Sequence, residues 1–175
     1  MRWPLIALCA ALLTLMPPMS SSTAADEIPP GALHLKRQTL LVADLERSLE
    51  IYRDILGFTV ARITESSPDS YSYPVFNVPA AATLRFATLD SDTEGRQFAL
   101  TEVRGATLPR PDPDAIRTST PVIQVRDFDA VLAALRDAGL EIVEPTTARS
   151  ADGRLFKEMA FIDLDGHLVV LYEFE

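Results

Sequence analysis

Histidine and cysteine are nearly missing from this sequence, with two of the first and one of the second in 175 residues. The single cysteine, Cys9, stands in an apolar leader, so the remainder has neither a disulfide framework nor a thiol nucleophile. Base is scarce relative to acid: 16 Lys+Arg stand against 25 Asp+Glu, a formal net charge of −9. A protein that tracks phosphates needs clustered Lys and Arg, so the deficit excludes nucleic acid as an expected partner. Only seven glycines are present, and G-x-S-x-G, G-x-x-x-x-G-K-[ST] and G-x-G-x-x-G are all absent. The nucleophile elbow and the phosphate-cradling loops go with them. No apolar run reaches the ~18 residues of a membrane-spanning helix. What remains, at 47% apolar and 23% charged, has the composition of an ordinary globular protein.

The longest apolar run, residues 5–16, is interrupted only by Thr14. As a helix it would extend about 18 Å, short of a ~30 Å hydrocarbon core. Arg2 precedes it, Pro17-Pro18 end it, and Ser20-Ser21-Ser22-Thr23-Ala24-Ala25 follow. Basic, apolar and small segments in that order predict a secretory signal peptide over 1–25, cleaved at Ala24 or Ala25. Cleavage after Ala25 removes one positive charge and no negative one, moving the net charge to −10. The expected product is an exported, periplasmic or secreted protein with no stable membrane insertion, and a homodimer remains open.

The rest of the chain repeats itself. Val42-Ala43-Asp44-Leu45 and Val125-Arg126-Asp127-Phe128 both follow apolar stretches, and the same offset superposes Leu49 on Leu132 and Arg53 on Arg136. In each copy the Asp is placed to cap a helix, since its carboxylate can accept the orphan N–H groups of the first turn. Leu45, Leu49, Tyr52 and Leu56 recur at helical spacing in the first copy; Phe128, Val131, Leu132 and Leu135 do so in the second. Gly57 and Gly139 close the two helices. Strand-like runs follow at 58–64, 83–89 and 97–103, then at 141–144, 156–162 and 167–174. The order β-α-β-β-β, twice, predicts an α+β protein of two modules, about 32–107 and 115–175, joined by a Pro-rich linker at 108–114. Together they make a single domain over 26–175.

The duplicated βαβββ order and the residues Val42, Asp44-Leu45-Glu46-Arg47-Ser48-Leu49, Tyr52 and Leu56-Gly57-Phe58 resemble the vicinal oxygen chelate superfamily. Asp163-Leu164-Asp165-Gly166 resembles that family's D-P-D-G turn, with Leu in place of Pro. The superfamily includes glyoxalase I, bleomycin-resistance proteins, fosfomycin-modifying enzymes and extradiol dioxygenases. The resemblance implies a curved mixed sheet around a central cleft and says little about reaction. In the metal enzymes of the family, His, Glu and Gln from the first and last strands of each module hold a divalent ion. Carried onto this chain, those positions fall at Arg37, Thr120 and Val170, with Thr101 or Ala99 as the fourth. A guanidinium repels a metal, and valine has no electron pair to give. A displaced site from His34 and Glu102 needs two strand irregularities, because alternation turns both away from the cleft. The residues therefore disfavour a divalent cofactor.

Alternation projects Arg37, Thr39, Thr101, Thr120, Gln124, Val170 and Tyr172 toward the cleft. A buried Arg37 would need a carboxylate such as Glu102 or Glu158, or an anionic ligand. Arg85 is a second cation whose parity fits the cleft. Tyr71 and Tyr73, in a Ser/Pro-rich stretch at 66–79, are loop candidates for stacking on a flat ligand. The reading is an exported small-molecule binder acting without the usual metal, with no catalytic residue assigned and enzyme status open. Its alternatives are a metal-dependent lyase or dioxygenase with relocated ligands, and a sequestering binder of a cationic drug, suggested by the acid excess.

Overall fold

The computed structural model describes residues 33–175; the expected leader and its cleavage positions lie outside the described residues. Both modules fall in one compact unit, Leu35–Glu175. Module one comprises strand β1 (Gln38–Val42), helix α1 (Leu45–Leu49) running into a π-helical turn (Glu50–Ile55), β2 (Thr59–Glu65), a short helix α2 (Ser72–Val75), β3 (Thr83–Asp90) and β4 (Phe98–Arg104). Module two comprises β5 (Val122–Gln124), α3 (Phe128–Asp137), β6 (Glu141–Arg149), β7 (Leu155–Ile162) and β8 (Leu168–Phe174). The strand orders are β1-β4-β3-β2 and β5-β8-β7-β6, so the two four-stranded sheets repeat one topology. In each the first strand pairs parallel to the last and the other pairings are antiparallel.

The caps form as the sequence dictates. Asp44 accepts the Arg47 N–H at 3.1 Å and Asp127 the Ala130 N–H at 2.9 Å. Gly57 closes the first helix at φ +85, in the left-handed region that a side chain disfavours. Two local features depart from the expected elements. The first helix widens after Leu49, where the Leu56 N–H bonds to Ile51 O in a five-residue step. Strand β6 passes Pro145 and continues to Arg149, which is tolerated because β6 is an edge strand bulged at that point.

The helices bury one face of each sheet in a shared core. Leu45, Leu49 and Tyr52 meet Phe128, Val131 and Leu135, over Leu40, Val42 and Leu100 of sheet one and Phe161, Val169 and Leu171 of sheet two. The turn between β7 and β8 clamps the modules together. Asp163, buried, accepts the Tyr52 hydroxyl at 2.8 Å; Asp165 accepts the Ala43 N–H at 3.0 Å; His167 Nε2 donates to Leu41 O at 2.8 Å. A carbonyl only accepts, so that ring nitrogen carries the hydrogen. His167 is thus a half-buried strut between modules. At the other end of the junction, Arg126 pairs with Asp92.

Burial pushes the Asp165 carboxyl above its usual range, with Asp163 adding to the shift and the Ala43 N–H, His167 and Arg47 opposing it. An acid whose pKa rises on folding binds its proton more tightly when folded. The penalty is absent below its unfolded pKa and appears as pH rises. Asp165→Asn keeps the acceptor and removes the charge. It is expected to raise Tm at pH 7 and leave it unchanged at pH 3, as melting curves at the two pH values will show.

Candidate functional site

Each sheet has a second face, turned from the helices, here called the outer face. On sheet one, neighbours across the strands are Thr39, Ala99 and Thr88 in one row and Leu41, Thr101 and Phe86 in the next. The Thr39 and Thr101 hydroxyls lie 2.9 Å apart, within a hydrogen bond of each other. Arg37 precedes β1, and its guanidinium lies 5.5 Å from the Phe86 ring centroid while Nε donates to Arg96 O at 3.0 Å. Burial, and then the nearby Arg96 cation, lower the Arg37 pKa. Neither Glu102 nor Glu158 partners Arg37; among the described residues it forms no ion pair.

On sheet two, Val170 is flanked by Val122 and Ala160, and Tyr172 by Gln124 and Glu158. The Tyr172 hydroxyl donates to Gln124 Oε1 at 3.3 Å. Tyr172 and Phe156 each pack edge-on against Phe174, and Arg154 stacks over that same ring at 3.7 Å. Thr120, just before β5, donates to Leu168 O at 2.8 Å, which ties the strand ends together. The expected residues are therefore shared between two outer faces, with Arg37, Thr39 and Thr101 on one and Gln124, Val170 and Tyr172 on the other. A groove of about 380 Å³ lies at the junction between modules, beside Phe58, Asp92, Ile123 and Arg126. Of the expected residues it takes in only Gln124.

Three candidates serve the fold instead. Glu102 lies on the core face, 3% exposed, where it accepts the Leu45 N–H at 3.0 Å and pairs with Arg85 at 2.9 Å and Arg104 at 2.8 Å. It caps the first helix, so the displaced His34–Glu102 metal pair is not formed; His34 is exposed. Arg85 follows Glu102 to the core face and also reaches Glu46, which removes it from the outer face. Tyr73 is buried with Ala82, Leu84 and Val103, against Leu41 and Val78. The stretch at 66–82 thus folds over one end of the outer face of sheet one, with Tyr73 as its apolar plug and Tyr71 80% exposed.

The positions that correspond to the metal ligands, Arg37, Thr101, Thr120 and Val170, offer no imidazole, carboxylate or thiolate. Among the described residues no group of three His, Cys, Asp or Glu side chains comes together elsewhere to hold an ion. These side chains do not fit a divalent centre.

The architecture has many parallels. A glyoxalase family protein from Bacillus cereus superposes with a TM-score of 0.64 at 14% identity, over 82% of this chain and 95% of that one. The trypanothione-dependent glyoxalase I of Leishmania major gives 0.54 at 21% identity, over 81% and 87%. An antibiotic-binding protein from a Streptomyces species gives 0.51 at 19%, over 83% and 98%. At such identities the likeness is one of fold. No curated protein sequence matches the chain. A family model does match, over residues 33–171, which spans both modules from just before β1 into β8. With the twice-repeated sheet order and the capped helices, that match establishes that the chain belongs to the Glyoxalase/Bleomycin resistance protein/Dioxygenase superfamily.

Proposed function

We propose that this protein is exported and binds a small molecule on the outer faces of its sheets without a resident divalent ion. The observation that carries the reading is Arg37, a guanidinium where the superfamily's metal enzymes place a ligand, half-buried and without a carboxylate partner. A fixed cation there can orient an anionic group by charge and hydrogen bonds, as a Lewis acid would by coordination. The outer-face residues of the two sheets are hydroxyls, an amide and aromatic rings, the make-up of a small-molecule site. The antibiotic-binding structural relative supports small-molecule binding as a role for this fold. The alternative with a metal requires relocated ligands. The alternative with a cationic drug rests on net charge and on the bleomycin-resistance branch of the superfamily, and the arginines of sheet one weigh against that face as its site.

Elemental analysis of the purified protein tests the absence of a metal: less than one tenth of an equivalent of Zn, Ni, Mn or Fe is expected (about the background of such a measurement). A stoichiometric ion that resists mild chelation would overturn it. Thermal-shift screening tests binding, since a ligand at about 100 times its Kd stabilises the folded state by about 2.7 kcal/mol. No shift with any neutral, anionic or cationic compound would count against the binding reading.

A further inference from the structure

We propose that the outer face of sheet one is an oxyanion site, built from Arg37, Arg62 and Arg96 about the Thr88 hydroxyl. Its ligand is a small molecule bearing a carboxylate or phosphoryl group on an apolar or aromatic body. The inference rests on the small-molecule reading above and narrows it to a chemical class.

The row that runs Thr39, Ala99, Thr88 ends on β2 at Arg62, the cross-strand partner of Thr88. Val60, two residues earlier, packs on the core, and strict alternation would send Arg62 the same way. A bulge between Val60 and Arg62 inserts one residue and turns Arg62 to the outer face. Arg37 arrives from the opposite edge of the sheet. Its Nε is held at Arg96 O, and its guanidinium lies 5.5 Å from the Phe86 ring centroid.

Arg96 comes from the turn between β3 and β4. Its backbone is held at φ +56, unusual for a residue with a side chain, by an N–H bond to Asp90 Oδ1 at 2.6 Å. That conformation presents Arg96 O to Arg37. The acids of the turn are otherwise engaged: Asp90 on the Arg96 N–H, Glu94 with the Gln97 amide and Asp92 with Arg126. Among the described residues none of the three arginines has a carboxylate partner. In a chain of net charge −9, three such cations on one face mark a place kept for an external anion.

Thr88 supplies the independent observation. Its Oγ1 is the one buried side-chain polar atom among the described residues without a hydrogen-bond partner. A buried hydroxyl left in that state is destabilising unless a ligand completes it. The Phe86 ring beside it offers an apolar floor, and the Tyr73 plug closes the end of the face beyond Phe86.

Three probes of one shape test the charge: benzoate, phenyl phosphate and the neutral benzamide, titrated against the purified protein at millimolar concentration. Melting temperature and the ¹H–¹⁵N resonances of the arginine Nε groups are the readouts. Benzoate or phenyl phosphate is expected to raise Tm and move the Arg37 and Arg62 Nε signals, the tighter of the two naming the headgroup, while benzamide does neither. Arg37→Gln and Arg62→Gln should each weaken the anion about tenfold or more, as should the isosteric Thr88→Val. Thr88→Val should leave the Tm of the free protein unchanged or higher, because the hydroxyl it removes has no partner. Benzamide binding as tightly as benzoate, or Arg37→Gln with unchanged affinity, overturns the anion class and leaves the small-molecule reading standing. Failure of both anions to bind likewise overturns it, and the wider screen then decides that reading separately.

Discussion

Glu102→Ala is expected to lower the melting temperature by roughly 10 °C, since losing one partner of a buried ion pair costs about 3–5 kcal/mol and a domain of this size loses about 2–4 °C per kcal/mol. The carboxylate accepts the Leu45 N–H at the head of α1, and its Oε2 accepts from Arg85 and Arg104. Removing it leaves that N–H unpaired and Arg85, its side chain only 21% exposed, with Glu46 alone. Glu102→Gln keeps the shape and an acceptor, so its loss is expected to be smaller. The same carboxylate gives an acid dependence. Burial alone would raise its pKa, but the Leu45 N–H, Arg85 and Arg104 together outweigh that and hold it below the usual range. A depressed carboxylate contributes stability that is fully present above its unfolded pKa and is lost as pH falls through the folded one. The Tm gap between wild type and Glu102→Gln should therefore be open at pH 7 and narrow steadily below pH ~4. An equal gap at pH 3 and pH 7 would show that the charge contributes nothing.

Gly166→Ala is expected to cost about 2–4 kcal/mol in urea unfolding, from left-handed backbone strain and an overpacked contact. Gly166 sits at φ +91, and a Cβ built there would stand 2.6 Å from Pro111 Cδ and 3.2 Å from its Cγ. The proline ring is stiff and cannot swing aside. Pro111→Gly in the same chain should recover the steric part and not the backbone part, so the double variant is expected to fall between the two. The consequence is local to the modules' clamp: Gly166 lies between Asp165, which holds Ala43, and His167, which holds Leu41. A Gly166→Ala protein as stable as wild type would mean that the linker yields at Pro111.

The fold was open to inspection in the sequence because its determinants are local and repeated. Asp44 and Asp127 cap helices through bonds to residues three positions on, and the helices show their buried stripe at a spacing of three or four. The candidate site was only partly open. Alternation placed Arg37 and Thr39 on one face correctly, and it turned Glu102 away. It failed at Arg62, because one inserted residue reverses parity and nothing in the composition of β2 announces the bulge. Arg96 is displayed by a turn whose left-handed residue is an arginine, without the glycine that would have signalled it. Tyr73 looked like a loop aromatic because its apolar partners, Leu84 and Val103, lie on strands that come later in the chain.

By itself, then, the sequence determined an apolar N-terminal run, two βαβββ copies, the capped helices and the want of metal donors at the four strand positions. Each follows from residue type and short-range spacing, which chain connectivity alone fixes. The tertiary structure decided what each polar side chain faces. Glu102 became a helix cap, His167 a strut between modules, and Arg37 a donor to Arg96 O beside the Phe86 ring. Those roles depend on register between distant strands, and a shift of one residue exchanges the faces of a sheet without altering a letter of the sequence.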